Sequence, residues 1–208
     1  MVHAHRHCYH DVNPVPGMKH SIAIFASGSG SNAEKIINHF RKSNSAEIKL
    51  IISNKNDAFV IERARKLQVP CVVFSRKSDF SSDVLFKLLL DNNIDLIVLA
   101  GFLWLLPANL IEKFPNRIIN IHPALLPRYG GKGMYGAKVH QAVSESGDTE
   151  SGITIHYVNE HYDDGDIIFQ ASCSIRAGEN PVSIAHKVHQ LEYEYYPKVI
   201  EEVLNKLV

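Results

Sequence analysis

From His20 onward, short β-rich apolar runs alternate with amphipathic helical stretches, and this rhythm limits the possible folds more than any other feature. SIAIFA (21–26) reads as a first strand. NAEKIINHFRK (32–42) reads as a helix with Ile36, Ile37 and Phe40 on one face. EIKLIIS (47–53) with AFVIERARKL (58–67) repeats the unit, and PCVVF (70–74) with SDVLFKLLLDN (82–92), opened by a serine cap, repeats it again. IDLIVLAG (94–101) is the most apolar run and is expected at the centre of a sheet covered on both faces. Such alternation implies right-handed crossovers and a parallel sheet. After Arg117 the rhythm changes. IINIH (118–122) leads into a Pro- and Gly-rich loop, and a helix is expected over 137–146. GITIHYV (152–158) and DIIFQASCSI (166–175), joined by NEHYDDG, read as an antiparallel pair, and a long helix is expected over 181–207. The expected fold class is α/β: a Rossmann-like open, mostly parallel sheet with helices on both faces and an antiparallel C-terminal extension.

At 208 residues, with no internal repeat, the chain reads as one large domain over 18–208 behind a leader over 1–17. The leader, MVHAHRHCYHDVNPVPG, has four histidines but no apolar face, and it is expected to be disordered rather than a metal site or a secretory signal. The 22 basic and 22 acidic side chains cancel, so no global field draws the chain to nucleic acid or to a membrane, and an anion must be held locally. Cys8, Cys71 and Cys173 are scattered and odd in number, which argues against disulfides or a cysteine zinc site and fits a reducing cytoplasm. The expected assembly is a monomer or weak homodimer.

SGSGSN (27–32) joins the first strand to the first helix. Its glycines let backbone N–H groups approach an anion at a helix start. It lacks the Lys-Ser/Thr pair of a P-loop. It spaces its glycines like a dinucleotide loop, yet Ser53-Asn54-Lys55 stands where that fold expects an acid for the ribose. A monophosphate site therefore fits better than a nicotinamide site, with a tight turn that binds nothing as the bland alternative.

In NIHPALLP (120–127), Asn120 and His122 are two apart and project together from the carboxyl end of a parallel strand. An amide beside an imidazole can polarise an acyl oxygen and move a proton. Asp163 or Asp164 in the acidic turn is a candidate partner for that imidazole, although such turns are usually only solvated. His156 is given a supporting role.

These motifs together resemble the phosphoribosylglycinamide formyltransferase family. GSGSN, SNKNDAF with ERA, VLAGF, NIHPALLP, TIHYV, DDGDIIFQ and the helix carrying Glu192 and Tyr196-Pro197 follow in order from Lys19 to Leu207. The resemblance implies the formyltransferase fold and formyl transfer from 10-formyltetrahydrofolate to 5-phosphoribosylglycinamide in purine synthesis, without a metal. It implies that Gly30, Ser31 and Asn32 hold the substrate phosphate, and that His189 and Glu192 face the glycinamide end. It assigns catalysis to Asn120, His122 and Asp163, with Asp163 raising the affinity of His122 for its proton. Leu103, Trp104, Leu105 and Leu106, with Asn159, Glu160, His161, Tyr162 and Asp163, would line the folate pocket.

Three other readings compete. A formyltetrahydrofolate hydrolase is expected to carry a regulatory domain ahead of this one. A methionyl-tRNA formyltransferase is expected to add a C-terminal RNA-binding domain and a basic surface. A non-catalytic phosphate- or nucleotide-binding module would use GSGSN but has no need of Asn120, His122 and Asp163 together. Cys71 and Cys173 lie in strand patterns, are expected to be buried, and make poor nucleophiles.

Overall fold

The computed structural model describes residues 19–80 and 83–207. The expected leader, the domain start at Met18, Cys8 and the Ser82 cap lie outside the described residues. The elements in chain order begin β1 (His20–Phe25), α1 (Ser31–Ser43), β2 (Ala46–Ser53), α2 (Phe59–Lys66), β3 (Cys71–Val73), α3 (Lys77–Phe80) and α4 (Asp83–Asp91). There follow β4 (Leu96–Leu99), α5 (Ala108–Lys113), β5 (Ile118–His122), α6 (Ala137–Ser146), β6 (Glu150–Tyr157), β7 (Ile167–Ser174) and α7 (Pro181–Leu204). The strands form one seven-stranded sheet in the order β3-β2-β1-β4-β5-β6-β7. β1 to β5 pair in parallel, while β6 and β7 run antiparallel. The fold class read from the sequence is thus borne out.

Strand alternation divides the core between the two faces of the sheet. Ile22, Ile24, Ile51, Val98 and Ile119 point to one side, where they meet Ile36, Ile37 and Phe40 of α1 and Ile184, Val188 and Ile200 of α7. Ala23, Phe25, Ile52, Ile97 and Leu99 point to the other, against Phe80, Leu85, Leu89, Leu110 and Phe114. The order of the strands reverses between β1 and β4, so the carboxyl ends of these strands part and leave a crevice, the usual place for a ligand in such a sheet.

Local chemistry sets the boundaries. Asn180 caps α7 by accepting from the Val182 amide at 2.8 Å, and Pro181 occupies the first turn, where its missing N–H costs nothing. Asn44 and Gly147 end α1 and α6 in the left-handed conformation. The helices α3 and α5 are not anticipated by the sequence pattern, being too short for a helical period to emerge. The strand expected over 94–101 shortens to Leu96–Leu99, because Ala100 and Gly101 already turn into the crevice. Cys71 and Cys173 are half-buried rather than buried, and burial still pushes both thiols up.

Tyr196 of α7 is fully buried and donates its hydroxyl to the Leu99 carbonyl at 2.9 Å, with the Ile119 carbonyl at 3.4 Å. It pins the last helix across β4 and β5 just below the crevice. Tyr196→Phe should lower unfolding stability by about 1 kcal/mol, the worth of one buried hydrogen bond. Urea titration should show a lower midpoint with an unchanged slope.

Candidate active site

The loop after β1 is tied down at several points. Ser27 donates its amide to the Gly101 carbonyl at 3.0 Å, and its hydroxyl accepts from the Leu103 amide at 2.9 Å. The Gly28 carbonyl accepts from Val60 at 3.1 Å, and the Ser29 carbonyl accepts from Arg63 Nε at 2.8 Å. Gly30 is left-handed, and a Cβ there would come within 2.5 Å of the Val60 side chain, so the position requires glycine. Gly30 offers no side chain to cap α1, and the Ser31 amide has only a long contact with the Ser29 hydroxyl at 3.5 Å, so the start of the helix keeps amides for an anion. Asn32 donates to the buried Glu192 carboxylate at 2.9 Å, and its Oδ1 is buried without a partner. Burial pushes the Glu192 carboxyl up, against the pull of Asn32 and His189.

At the end of β5 four polar side chains meet. Asn120 lies opposite His156 in the antiparallel register, and its Nδ2 is 3.2 Å from His156 Nε2 and 3.5 Å from Asp163 Oδ1. His156 Nδ1 donates to the Tyr157 carbonyl at 2.8 Å, and Nε2 is turned towards Asn120 and, at 3.7 Å, towards Asp163 Oδ1. His122 Nε2 donates to the Tyr129 carbonyl at 2.8 Å, and Nδ1 faces Asp163 Oδ2 at 3.4 Å. Asp163 also accepts from the Gly131 amide at 3.0 Å. It adopts φ 55, held by a turn in which a Cβ on Gly165 would meet the Tyr157 carbonyl at 1.8 Å.

The electrostatics correct one expectation. Burial lowers the pKa of His122, and the opposing pull of Asp163 does not overcome it, so the net shift is downward rather than upward. Burial works to raise the Asp163 carboxyl. His156, His122 and the Gly131 amide together outweigh it and hold the carboxyl below its usual range.

A cleft of about 270 Å³ opens beside this cluster. Its walls include Phe102, Leu103, Trp104, Leu105 and Leu106 from the loop after β4, and residues 131–135. Leu99, Asn120, His156, Val158, His161, Tyr162 and Asp163 complete them. Asn159 and Glu160 do not reach the wall. Asn159 instead accepts from the His161 amide at 2.9 Å and donates to Asp164 at 3.5 Å, shaping the turn from outside and engaging the alternative carboxylate. His122 does not line the cleft either, and lies behind Asp163 with 3% of its surface exposed.

Sequence reasoning missed Phe102, Val158 and residues 131–135 on the cleft wall. It also missed His140 of α6, which is buried and edge-on to His189 at 6.1 Å. The glycine pattern of GGKGMYG was the only signal for the loop, and His140 sits in an ordinary helical period. No group of three or more His, Cys, Asp or Glu side chains among the described residues is placed to hold a metal ion, and no described helix is long and apolar enough to cross a membrane.

The sequence profile of the formyl transferase family matches residues 20–200. The chain belongs to that family. It is 38% identical over 186 residues to the phosphoribosylglycinamide formyltransferase of Haemophilus influenzae, covering 86% of this chain and 85% of the relative. It is 40% identical over 193 residues to the chloroplastic phosphoribosylglycinamide formyltransferase of Arabidopsis thaliana, covering 90% of this chain. The chain spans 66% of the length of that plant relative. The crystal structure of the Bacillus halodurans phosphoribosylglycinamide formyltransferase superposes with a TM-score of 0.80 at 33% identity, over 90% of this chain and 97% of that one. That of glycinamide ribonucleotide transformylase 1 from Geobacillus kaustophilus gives 0.81 at 34% identity, over 90% of this chain and all of that one. The family read from the sequence motifs is thus borne out.

The pKa of His140 is lowered to about 4, by burial first and then by the nearness of His189 and His122. The folded state therefore keeps this ring neutral at pH values where the unfolded chain protonates it. Its contribution to stability is present above pH 6.5 and is lost as the pH falls towards about 4. The stability of His140→Phe should decline less over that window than the wild type's, as measured by thermal unfolding at a series of pH values.

Proposed function

We propose that this chain is a phosphoribosylglycinamide formyltransferase, moving the formyl group of 10-formyltetrahydrofolate onto the amine of 5-phosphoribosylglycinamide. The observation that carries the reading is the Asn120, His156, Asp163 and His122 cluster, set on the wall of a cleft lined by Phe102 and Trp104. A flat bicyclic ring with hydrogen-bonding edges fits such a cleft, between aromatic side chains and the loop backbone at 103–106. The uncapped start of α1, with Gly30, Ser31 and Asn32, takes the acceptor's phosphate, while Glu192 and His189 stand beside it.

In the reaction the acceptor nitrogen bonds to the formyl carbon, the bond from that carbon to the folate nitrogen breaks, and one proton passes from the incoming nitrogen to the departing one. Asn120 releases a proton of its Nδ2 from His156 or Asp163 and offers it to the formyl oxygen as negative charge develops there. One such donor is worth about 10²–10³ in rate. Asp163, ionised and on the cleft wall, orders the path of the moving proton, and His122 behind it holds and returns that proton. His156 keeps the Asn120 amide turned the right way. The proposal extends to one catalytic domain over 18–208, in a cytoplasmic setting that suits the three scattered cysteines. It also extends to a monomer or weak homodimer that handles small molecules rather than nucleic acid or membrane, in keeping with the zero net charge.

The test is an absorbance assay for tetrahydrofolate formation with glycinamide ribonucleotide as acceptor. Product formation that depends on the acceptor is expected. Equal turnover without acceptor would instead mark a hydrolase, and no turnover at all a binding module.

Asp163→Asn keeps the side chain's size but removes the charge that raises the His122 pKa. That pKa then falls further, and the imidazolium is lost at a lower pH. We expect kcat to drop by about 10² or more, with KM values little changed and the pH profile displaced towards acid. An undisplaced profile would separate the two residues.

A further inference from the structure

The α1 and α7 helices run alongside one another, and side-chain pairs mark their register. Asn32 meets Glu192, Lys35 Nζ lies 5.3 Å from the centre of the Tyr193 ring, and His39 meets Glu201 at 2.9 Å. His189, one turn before Glu192, therefore stands level with the start of α1. The Tyr193 ring stacks on His189 at 6.0 Å and 19°. The His140 ring stands edge-on to His189 at 6.1 Å and 86°. The charge of His122 is also felt at His140. A line of rings thus leads from the polar cluster at β5 through His140 and His189 to the amides at the start of α1.

Two buried polar atoms along this line, Asn32 Oδ1 and His140 Nδ1, have no hydrogen-bond partner. Buried polar atoms are almost always paired, so an unpaired one beside a ligand path points to a partner that arrives with the ligand. The acceptor must span this path, with its amine at the cleft and its phosphate at α1. Its middle, the sugar and the amide, carries groups that both donate and accept. A neutral imidazole does the same.

On the reading of function given above, we propose that His140 is a further acceptor-binding residue, making a ring-nitrogen hydrogen bond to the sugar–amide middle of the phosphorylated acceptor.

Steady-state kinetics on the full chain tests this, with glycinamide ribonucleotide and 10-formyltetrahydrofolate varied separately. His140→Phe keeps a ring against His189 but has no ring nitrogen, whereas His140→Asn puts an amide atom near the position of Nδ1. His140→Phe should raise the acceptor KM about tenfold, as the loss of one good hydrogen bond does, with kcat and the folate KM held within about twofold. His140→Asn should recover most of that loss. Quenching of Trp104, the chain's single tryptophan, reports folate binding independently and shows whether the cleft of each variant is intact. An unchanged acceptor KM in His140→Phe would overturn the proposal. So would a parallel loss of folate binding, kcat and acceptor affinity, or a His140→Asn variant as impaired as the Phe variant. A wild-type chain that binds folate yet never formylates this acceptor would overturn the functional reading first, and the role of His140 with it.

Discussion

Removing a carboxylate from water is costly unless its oxygens find partners, and Asp163, with 11% of its side chain exposed, imposes that condition on the surrounding structure. Its partners come from three stretches of chain: Asn120 and His122 from β5, Gly131 from the following loop, and His156 from β6. Parallel crossovers alone would not gather them. The antiparallel strand β6 sets His156 directly opposite Asn120, so ordinary cross-strand pairing delivers the 3.2 Å contact. The antiparallel extension is therefore what completes the cluster at the edge of the parallel sheet.

Two opposed forces act on His122. Its bonding geometry, with the Tyr129 carbonyl on one nitrogen and the Asp163 carboxylate on the other, suits the charged ring, while burial favours the neutral one. Burial wins in the free protein. A ring that loses its proton readily, yet sits beside a carboxylate that favours its charged form, is suited to passing a proton rather than keeping one. For the proposed reaction this is a better property than a permanently charged imidazole, because the proton has to leave one nitrogen and arrive at another within a single turnover.

What the sequence disclosed followed from periodicity and from motifs with a mechanical reason. Ile22 and Ile24 facing one way and Ala23 and Phe25 the other is a period of two that can be read from the letters alone. The Gly30 turn and the Asn120/His122 pair were equally legible, since each needs its residue type at its spacing. Contacts that depend on how loops return were not legible. Nothing in NEHYDDG says that Asn159 turns outward to brace Asp164 while His161 and Tyr162 turn in. Nor does NIHPALLP reveal that His122 bends back onto the Tyr129 carbonyl and leaves the wall of the cleft to Asn120. The direction of the His122 shift was misread for the same reason: a sequence names the charged neighbour but not the depth of burial.

The seams that α7 makes with α1 and with α6 show the other side of this arrangement. Asn32, His140 and Glu192 place polar atoms out of water along a path where only some of them find protein partners, a loss of stability that a purely structural interior would avoid. The fold carries that loss because α7 is fixed independently. Val199, Ile200, Val203 and Leu204 are buried in the core, and Tyr196 reaches through to the carbonyls of β4 and β5. One long helix is thus anchored in the core along its length, from Ile184 and Val188 to Leu204, while its Glu192 turns to Asn32 of α1. That anchored helix is the fixed surface against which Asn32 of α1 and His140 of α6 hold their unpaired atoms in place, as recognition of a small polar molecule requires.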